Sequence, residues 1–187
     1  MSFQELIEKR RQLLSGESWA SEITVLTDEA NDFKLFLGAG RDAQNLEQLQ
    51  RARITHILNV ADDVPNFFEH SDQITLAYEN LNVGDFGTDA GISRVFEKAA
   101  RFVQEEVVAS KGRVLVHCAN GSNRSATIVI ALVMMLKDLP LSNAWMSVCK
   151  ERKVLPLKDN RKELLAYENA QRGQTTMRET AGTLIPM

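Results

Sequence analysis

Cysteine is scarce in this chain: only Cys118 and Cys149 occur among its 187 residues. Two cysteines do not make the disulfide framework of a small secreted protein. This usage favours a reducing compartment, and we expect the chain to reside in the cytosol or the nucleus. Each cysteine is therefore considered by itself, either as a small core side chain or as a reactive thiol.

Long apolar stretches are also lacking. The longest one, residues 128–136, is too short to span a bilayer. The first residues, MSFQELIEKRRQLL, lack the apolar core of a signal peptide, and Ser2 stands where a myristoylation signal needs glycine. The sequence therefore predicts no membrane insertion.

Neither sign of charge is in strong excess, because 22 Lys and Arg residues face 25 Asp and Glu residues, for a net charge of -3. This balance argues against broad nucleic-acid binding, although it is compatible with a local basic pocket. His56 and His70 lack the spacing of metal ligands, and we predict no metal and no other cofactor. The composition leaves the oligomeric state open.

Alternating β-rich and amphipathic segments organise the chain. Residues 1–20 are expected to form an N-terminal amphipathic helical extension, residues 21–172 one domain, and residues 173–187 a flexible tail. The pattern predicts an α/β fold: a central, mixed, mostly parallel sheet of about five strands flanked by helices. The predicted strands are residues 23–26, 35–37, 54–60, 74–81 and 114–116, and the predicted helices include 42–51 (capped by Asp42), a long helix from 92, 125–136 and 159–171.

The segment HCANGSNRS, residues 117–125, is the most informative part of the sequence. A β-branched apolar run precedes it and a helical run follows it, which predicts a strand, a tight loop and a helix. This arrangement directs backbone N–H groups and a helix N-terminus at one point, which suits an anion. A cysteine held there is favoured as the thiolate, so the segment predicts an anion pocket with a nucleophile at its base.

Each residue type in this loop has a chemical reason. Cys118 would attack phosphorus and form a phosphocysteine. Arg124, six positions later, has a planar fork that suits two phosphoryl oxygens. Gly121 permits the tight curvature, Ser125 would donate a hydrogen bond to the sulfur when it leaves, and His117 would support the loop backbone. The predicted phosphate-binding residues are Ala119, Asn120, Gly121, Ser122, Asn123 and Arg124.

This segment is similar to the His-Cys-x5-Arg-Ser/Thr signature of the protein tyrosine phosphatase superfamily. From about Leu35 to Gln171 the chain resembles the small, atypical dual-specificity phosphatases, on the stretches LFLG (35–38), ITHILNV (54–60), VFEKA (95–99), GRVLVHC (112–118) and 144–156. The resemblance implies the protein tyrosine phosphatase-like fold. It also implies hydrolysis of phosphotyrosine and phosphoserine or phosphothreonine in phosphoproteins.

The resemblance further implies a general acid, an aspartate about thirty residues before the cysteine. Two residues qualify: Asp85 lies 33 positions before Cys118, and Asp89 lies 29 before it. We predict Asp85, because it directly follows a strand and precedes Phe86 and Gly87, where a hinge would move it. Asp89 stays as the second choice, since its place just before a helix is better explained by a solvated loop acid or a helix cap.

The loop departs from the family pattern at Asn120 and Asn123, where alanine and serine are frequent. The loop lacks the lysines of phosphoinositide phosphatases, which counts against an inositol lipid substrate. Residues 158–162, KDNRK, replace an Asn-x-Gly-Phe stretch, so the phosphate-flanking contacts there are open. Two alternatives therefore remain beside a phosphoprotein phosphatase. One is a catalytically weak scaffold that binds phosphoproteins, and the other is a phosphatase for a phosphoinositide or a phosphoglucan.

Overall fold

A five-stranded sheet forms the centre of the computed structural model, which describes residues 19–25, 33–85, 90–180 and 182–187. The strands lie in the order β1-β2-β5-β3-β4. β1 is antiparallel to β2, and the other neighbours are parallel, so the predicted mixed, mostly parallel sheet is confirmed. The strands are β1 Ser21–Ile23, β2 Lys34–Ala39, β3 His56–Ala61, β4 Ala77–Val83 and β5 Arg113–Cys118.

Helices cover both faces of this sheet because successive strand residues point to opposite sides. In β5, Val114 and Val116 belong to the larger core cluster, whereas Leu115 packs in a smaller one with Leu49. The helices are α1 Gly40–Ala43, α2 Leu46–Arg51, α3 Phe96–Phe102, α4 Arg124–Lys137, α5 Leu141–Glu151 and α6 Lys158–Arg172. A 3-10 turn, Ile92–Val95, precedes α3 and a π-helical turn, Val103–Val108, follows it, so the predicted long helix is present in three forms.

Helix α4 is the central helix of the larger cluster. Every residue from Arg124 to Met134 is buried, as its nearly continuous apolar sequence predicts. Among the described residues, no helix is long and apolar enough to cross a membrane. The burial of α4 fixes its N-terminus at the end of β5, which positions the loop between them.

The helix predicted over residues 42–51 is divided in two, and Asp42 does not cap it. Asn45 caps α2 instead, since its side chain accepts a hydrogen bond from the Gln48 backbone N–H at 3.1 Å. Asp42 is buried, and its Oδ2 accepts from the Ala39 N–H at 2.7 Å. The prediction was wrong because Asp42 lies inside the short helix α1, as its third residue, whereas Asn45 directly precedes α2.

The predicted flexible tail contains a second, two-stranded sheet. β6 Met177–Thr180 pairs antiparallel with β7 Thr183–Pro186, and Met177 and Leu184 are buried in the larger core cluster. Arg161 of α6 also donates to Glu179 at 2.8 Å. Tertiary contacts therefore stabilise two strands of four residues each, which are too short for their sequence pattern to predict. The predicted N-terminal helix lies outside the described residues.

Glu168 joins α6, the start of α5 and the hairpin, and it leads to a stability prediction. Its fully buried carboxylate accepts from the backbone N–H groups of Leu141 and Thr176, both at 2.7 Å. Glu168→Gln places an NH₂ group opposite one of these donors, and we expect the free energy of unfolding to fall by about 1–3 kcal/mol. Urea denaturation measures this. The exposed Glu105→Gln control should change it by less than about 0.5 kcal/mol, and equal losses in both variants would contradict the role of Glu168.

Candidate active site

The carboxyl ends of four parallel strands meet at one edge of the sheet. In the register, Ala39 at the end of β2 pairs with Cys118 at the end of β5, and Ala61 of β3 pairs with Val83 of β4. Residues that directly follow these strands are therefore brought together, although they are far apart in the sequence. In open α/β sheets this edge is where ligands bind.

The loop from Cys118 to Arg124 is held from outside through its carbonyl groups. The carbonyl oxygens of Ala119 and Ser122 accept hydrogen bonds from the N–H groups of Gly40 at 3.2 Å and Leu155 at 2.8 Å. In a trans peptide the N–H points opposite to the C=O, so the N–H groups of the following residues point away from these supports. This is the arrangement that an anion-binding loop requires.

Gly121 is required in this loop for two reasons. Its φ of +69° lies in the left-handed region, and a Cβ there would approach the Gly38 carbonyl carbon and oxygen to 2.6 Å. Every residue with a side chain would therefore collide with the β2 backbone. The predicted need for glycine at this position has a direct steric cause in the structure.

The structure brings the predicted nucleophile Cys118 and Ser125 into contact. Cys118 is 2% exposed at the end of β5, and Ser125, in the first turn of α4, donates a hydrogen bond from Oγ to the Cys118 Sγ at 3.2 Å. The contact follows from the strand–loop–helix geometry, which returns the chain to its starting point. A hydroxyl in this position stabilises negative charge on the sulfur.

Arg124, the first residue of α4, is fully buried. Its Nη1 donates to Asp63 Oδ1 at 2.7 Å and to the Val83 carbonyl oxygen at 3.0 Å. Burial opposes the charge, but the hydrogen bond to Asp63 and attraction by Cys118 and Asp85 prevail and raise the pKa of the guanidinium. Within the described part of the chain, its Nε and Nη2 have no hydrogen-bond partner. Nε is therefore left for a ligand, and Nη2 makes an ion pair with Asp85 Oδ2 at 3.3 Å that a ligand would have to share or replace.

Asp85, the predicted acid, lies at this site. Its Oδ1 accepts a hydrogen bond from Asn123 Nδ2 at 2.7 Å, and its Oδ2 lies 3.3 Å from Arg124 Nη2. The side chain keeps 19% of its surface exposed, which leaves it access to solvent. Asp89, the second choice, lies outside the described residues. Within the described ranges, no group of three or more His, Cys, Asp or Glu side chains is arranged to hold a metal ion.

The other predicted loop residues differ in their exposure. Ser122 and Asn123 are buried, Ala119 is half-buried, and Asn120 is exposed. Asn123 makes three side-chain hydrogen bonds: its Nδ2 donates to Asp85, and its Oδ1 accepts from the Leu157 N–H at 2.7 Å and from Asn160 Nδ2 at 2.8 Å. The segment that departs from the family pattern at 158–162 thus supports the loop through Asn160.

Sequence reasoning missed two sets of residues at the site. Asp62 and Asp63 follow β3 and contact Arg124 Nη1 at 3.3 and 2.7 Å. Arg152, buried at the end of α5, donates to the Gly121 carbonyl oxygen at 3.4 Å and lies 3.9 Å from Asp42. Asp62 and Asp63 directly follow a predicted buried strand, and this position could have indicated that they lie at the site. No local pattern indicated Arg152.

His117 is the β5 residue that precedes Cys118, and its burial predicts how the stability of the protein depends on pH. It is 1% exposed, and burial lowers its pKa from 6.5 to about 4, against a raising effect of the hydrogen bond with the Cys118 backbone. Between these values the unfolded chain binds a proton that the folded protein does not, so stability falls as pH falls from about 6.5 to 4. We expect this residue to account for at most about 3 kcal/mol of that loss.

Urea denaturation of the wild type and of His117→Asn between pH 7.5 and 4 measures this contribution. The variant should lose less stability than the wild type on acidification, because the titrating imidazole is gone. Parallel curves of unfolding free energy against pH for the two proteins would contradict the buried, neutral state of His117.

Most of the chain matches a known family of proteins. Residues 35–170 match the family model described as dual specificity phosphatase, catalytic domain. Over 139 residues the chain is 34% identical to human dual specificity protein phosphatase 9, which covers 74% of this chain and 35% of that relative. The chain thus spans about a third of the length of this curated relative.

Two crystal structures are similar over most of the domain. Human DUSP28 has a TM-score of 0.68 at 27% identity, covering 81% of this chain and 95% of that chain. The human tyrosine phosphatase-like serine/threonine/tyrosine-interacting protein has a TM-score of 0.65 at 28% identity, covering 80% of this chain and 97% of that chain. With its Cys118–Arg124 loop at the end of β5, the chain belongs to the dual specificity phosphatases of the protein tyrosine phosphatase superfamily.

Proposed function

We propose that this protein hydrolyses phosphotyrosine and phosphoserine or phosphothreonine in phosphoproteins through a phosphocysteine intermediate. One observation carries the proposal: the buried Arg124 guanidinium keeps Nε and Nη2 without a hydrogen-bond partner in the described residues, in a loop whose first residue is Cys118. A buried cation in this loop suits a bound phosphoryl group, which brings acceptor oxygens for Nε and for Nη2, the group that is ion-paired with Asp85 in the structure.

In the first step the Cys118 sulfur attacks phosphorus, and the bond from phosphorus to the substrate oxygen breaks. Arg124 holds the equatorial oxygens while charge spreads over them in the transition state. The leaving oxygen takes a proton from the Asp85 carboxyl group, so that a neutral hydroxyl departs. The products of this step are the dephosphorylated protein, the phosphocysteine and the Asp85 carboxylate.

In the second step a water molecule attacks the phosphocysteine and gives one proton to Asp85. The phosphorus–sulfur bond breaks, inorganic phosphate is released, and the sulfur leaves as a thiolate. The Ser125 hydroxyl, which already donates to Sγ at 3.2 Å, stabilises that thiolate. The cycle returns each group to its starting protonation state.

The substrate class is supported by two observations. The family model and the relative at 34% identity both carry the description dual specificity phosphatase. We propose phosphoproteins of the cytosol or nucleus as substrates, in keeping with the free cysteines of the described chain.

Steady-state hydrolysis of a small aryl phosphate, with EDTA present, tests the reaction. Acid quenching with ³²P-labelled substrate should trap one labelled phosphocysteine per active chain. A matched pair of phosphotyrosine and phosphothreonine peptides then tests dual specificity. Absence of both turnover and trapped label would contradict the proposal, and turnover of the phosphotyrosine peptide alone would contradict its dual specificity.

A second candidate is a scaffold that binds phosphoproteins without hydrolysing them. The buried Arg124 and its loop serve phosphate binding alone as well as they serve catalysis. One structural neighbour is also named a phosphatase-like interacting protein. Calorimetric binding of a phosphopeptide that remains intact after prolonged incubation would favour this candidate over the first.

A further inference from the structure

Asn123 contacts three separate segments of the chain through one side chain. It belongs to the loop that precedes α4, Asp85 follows β4, and Leu157 and Asn160 lie at the start of α6. Three hydrogen bonds of 2.7–2.8 Å make these contacts, and Asn123 is 3% exposed. A buried amide that makes three hydrogen bonds to three segments favours one position of these segments relative to one another.

The hydrogen-bond partners fix the orientation of this amide. The Leu157 backbone N–H can only donate, so the Asn123 atom that faces it at 2.7 Å must be the carbonyl oxygen Oδ1. The NH₂ group must then face Asp85 Oδ1, which it contacts at 2.7 Å. The contacts that Leu157 and Asn160 make with the amide oxygen therefore orient the amide NH₂ group toward the Asp85 carboxyl group.

The hydrogen bond from the Asn123 NH₂ group to Asp85 Oδ1 does not involve the Arg124 donors that a phosphate would engage. Asp85 Oδ2 lies 3.3 Å from Arg124 Nη2, one of the groups that a phosphoryl oxygen would engage. When that group turns to the phosphate, the amide contact at Oδ1 is unaffected. It leaves Oδ2 as the oxygen that faces the loop.

We propose that Asn123 is the positioning residue that holds Asp85 toward the leaving oxygen, with its own amide oriented by Leu157 and Asn160. The inference rests on the proposed phosphatase reaction, and it assigns a role to a residue at which this chain departs from its family. Asn123 does not react; it sets the place from which Asp85 delivers its proton.

The test uses leaving groups of different basicity, because only a basic leaving oxygen needs the proton. Asn123→Ser removes the donor that faces Asp85 and adds no charge beside Asp85 or Arg124. With phenyl phosphate we expect kcat to fall about 10- to 100-fold. With a nitro-substituted aryl phosphate, whose leaving group is a much weaker base, we expect a change below about threefold.

Two further variants separate positioning from general damage. In an Asp85→Asn background, Asn123→Ser should cause little additional loss, because the group that Asn123 positions is already absent. Asn143→Ala, at an exposed site on α5, should match the wild type with both substrates. Thermal denaturation of every variant checks that it is folded at the assay temperature.

The possible outcomes are distinct. A large loss confined to the basic leaving group, absent in the Asp85→Asn background, supports the proposal. An equal loss with both leaving groups, or no loss with phenyl phosphate, overturns it while the phosphatase function stands. A wild type that hydrolyses neither substrate overturns the proposed function and this inference together.

Discussion

Cys118→Ser is expected to lower turnover of an aryl phosphate by at least about 10⁴-fold. A serine hydroxyl is not ionised near neutral pH, and its smaller oxygen would lie farther from the phosphorus than sulfur does. The rest of the site is unaffected, because the loop carbonyls and Arg124 are held by groups outside this side chain. The variant should therefore still bind a phosphopeptide, which calorimetry measures alongside the steady-state rate.

The second cysteine supplies a matched control. Cys149 is half-buried on α5, and burial raises the pKa of its thiol. It is not part of the loop, so Cys149→Ser should keep turnover within about twofold of the wild type. Full activity in Cys118→Ser, or loss of activity only in Cys149→Ser, would show that the nucleophile is assigned to the wrong residue.

Asp85→Asn is expected to lower kcat for a phosphotyrosine peptide by about 10²- to 10⁴-fold. The substitution keeps the size of the side chain but removes the proton that the leaving oxygen requires. The KM should change little, because Arg124 and the loop backbone hold the phosphate. Steady-state kinetics with a phosphopeptide and with a nitro-substituted aryl phosphate measure the effect, which should be smaller for the second substrate.

Asp89→Asn is the companion variant, because both aspartates fit the sequence spacing. The structure places Asp85 within hydrogen-bond distance of Asn123 and close to Arg124, so the companion should retain near wild-type kcat. A severe loss in Asp89→Asn together with an active Asp85→Asn would transfer the acid role to Asp89. The nucleophile and the phosphate-binding residues would keep their assignments in that case.

Local sequence was sufficient for the loop because its parts are contiguous. A buried strand, a glycine and a buried helix constrain nine successive residues, HCANGSNRS, and their order alone brings Ser125 back to Cys118. The sheet class followed from alternating β-rich and helical periods, which are also local signals. The division of the 42–51 helix and the C-terminal hairpin depended on tertiary contacts, such as that between Arg161 and Glu179, that no local period records.

The sequence by itself determined the α/β class and the strand–loop–helix segment that carries Cys118 and Arg124, since each depends on residues near one another in the chain. Only the tertiary structure decided what surrounds Arg124. Asp62 and Asp85 are separated from it by 62 and 39 positions in the sequence. They meet because β3 lies beside β5, β4 lies beside β3, and all three strands run parallel. The packing of the whole core sets the order of the strands in the sheet. The residues around a charged side chain at the end of one strand therefore do not indicate which other strand it will lie next to.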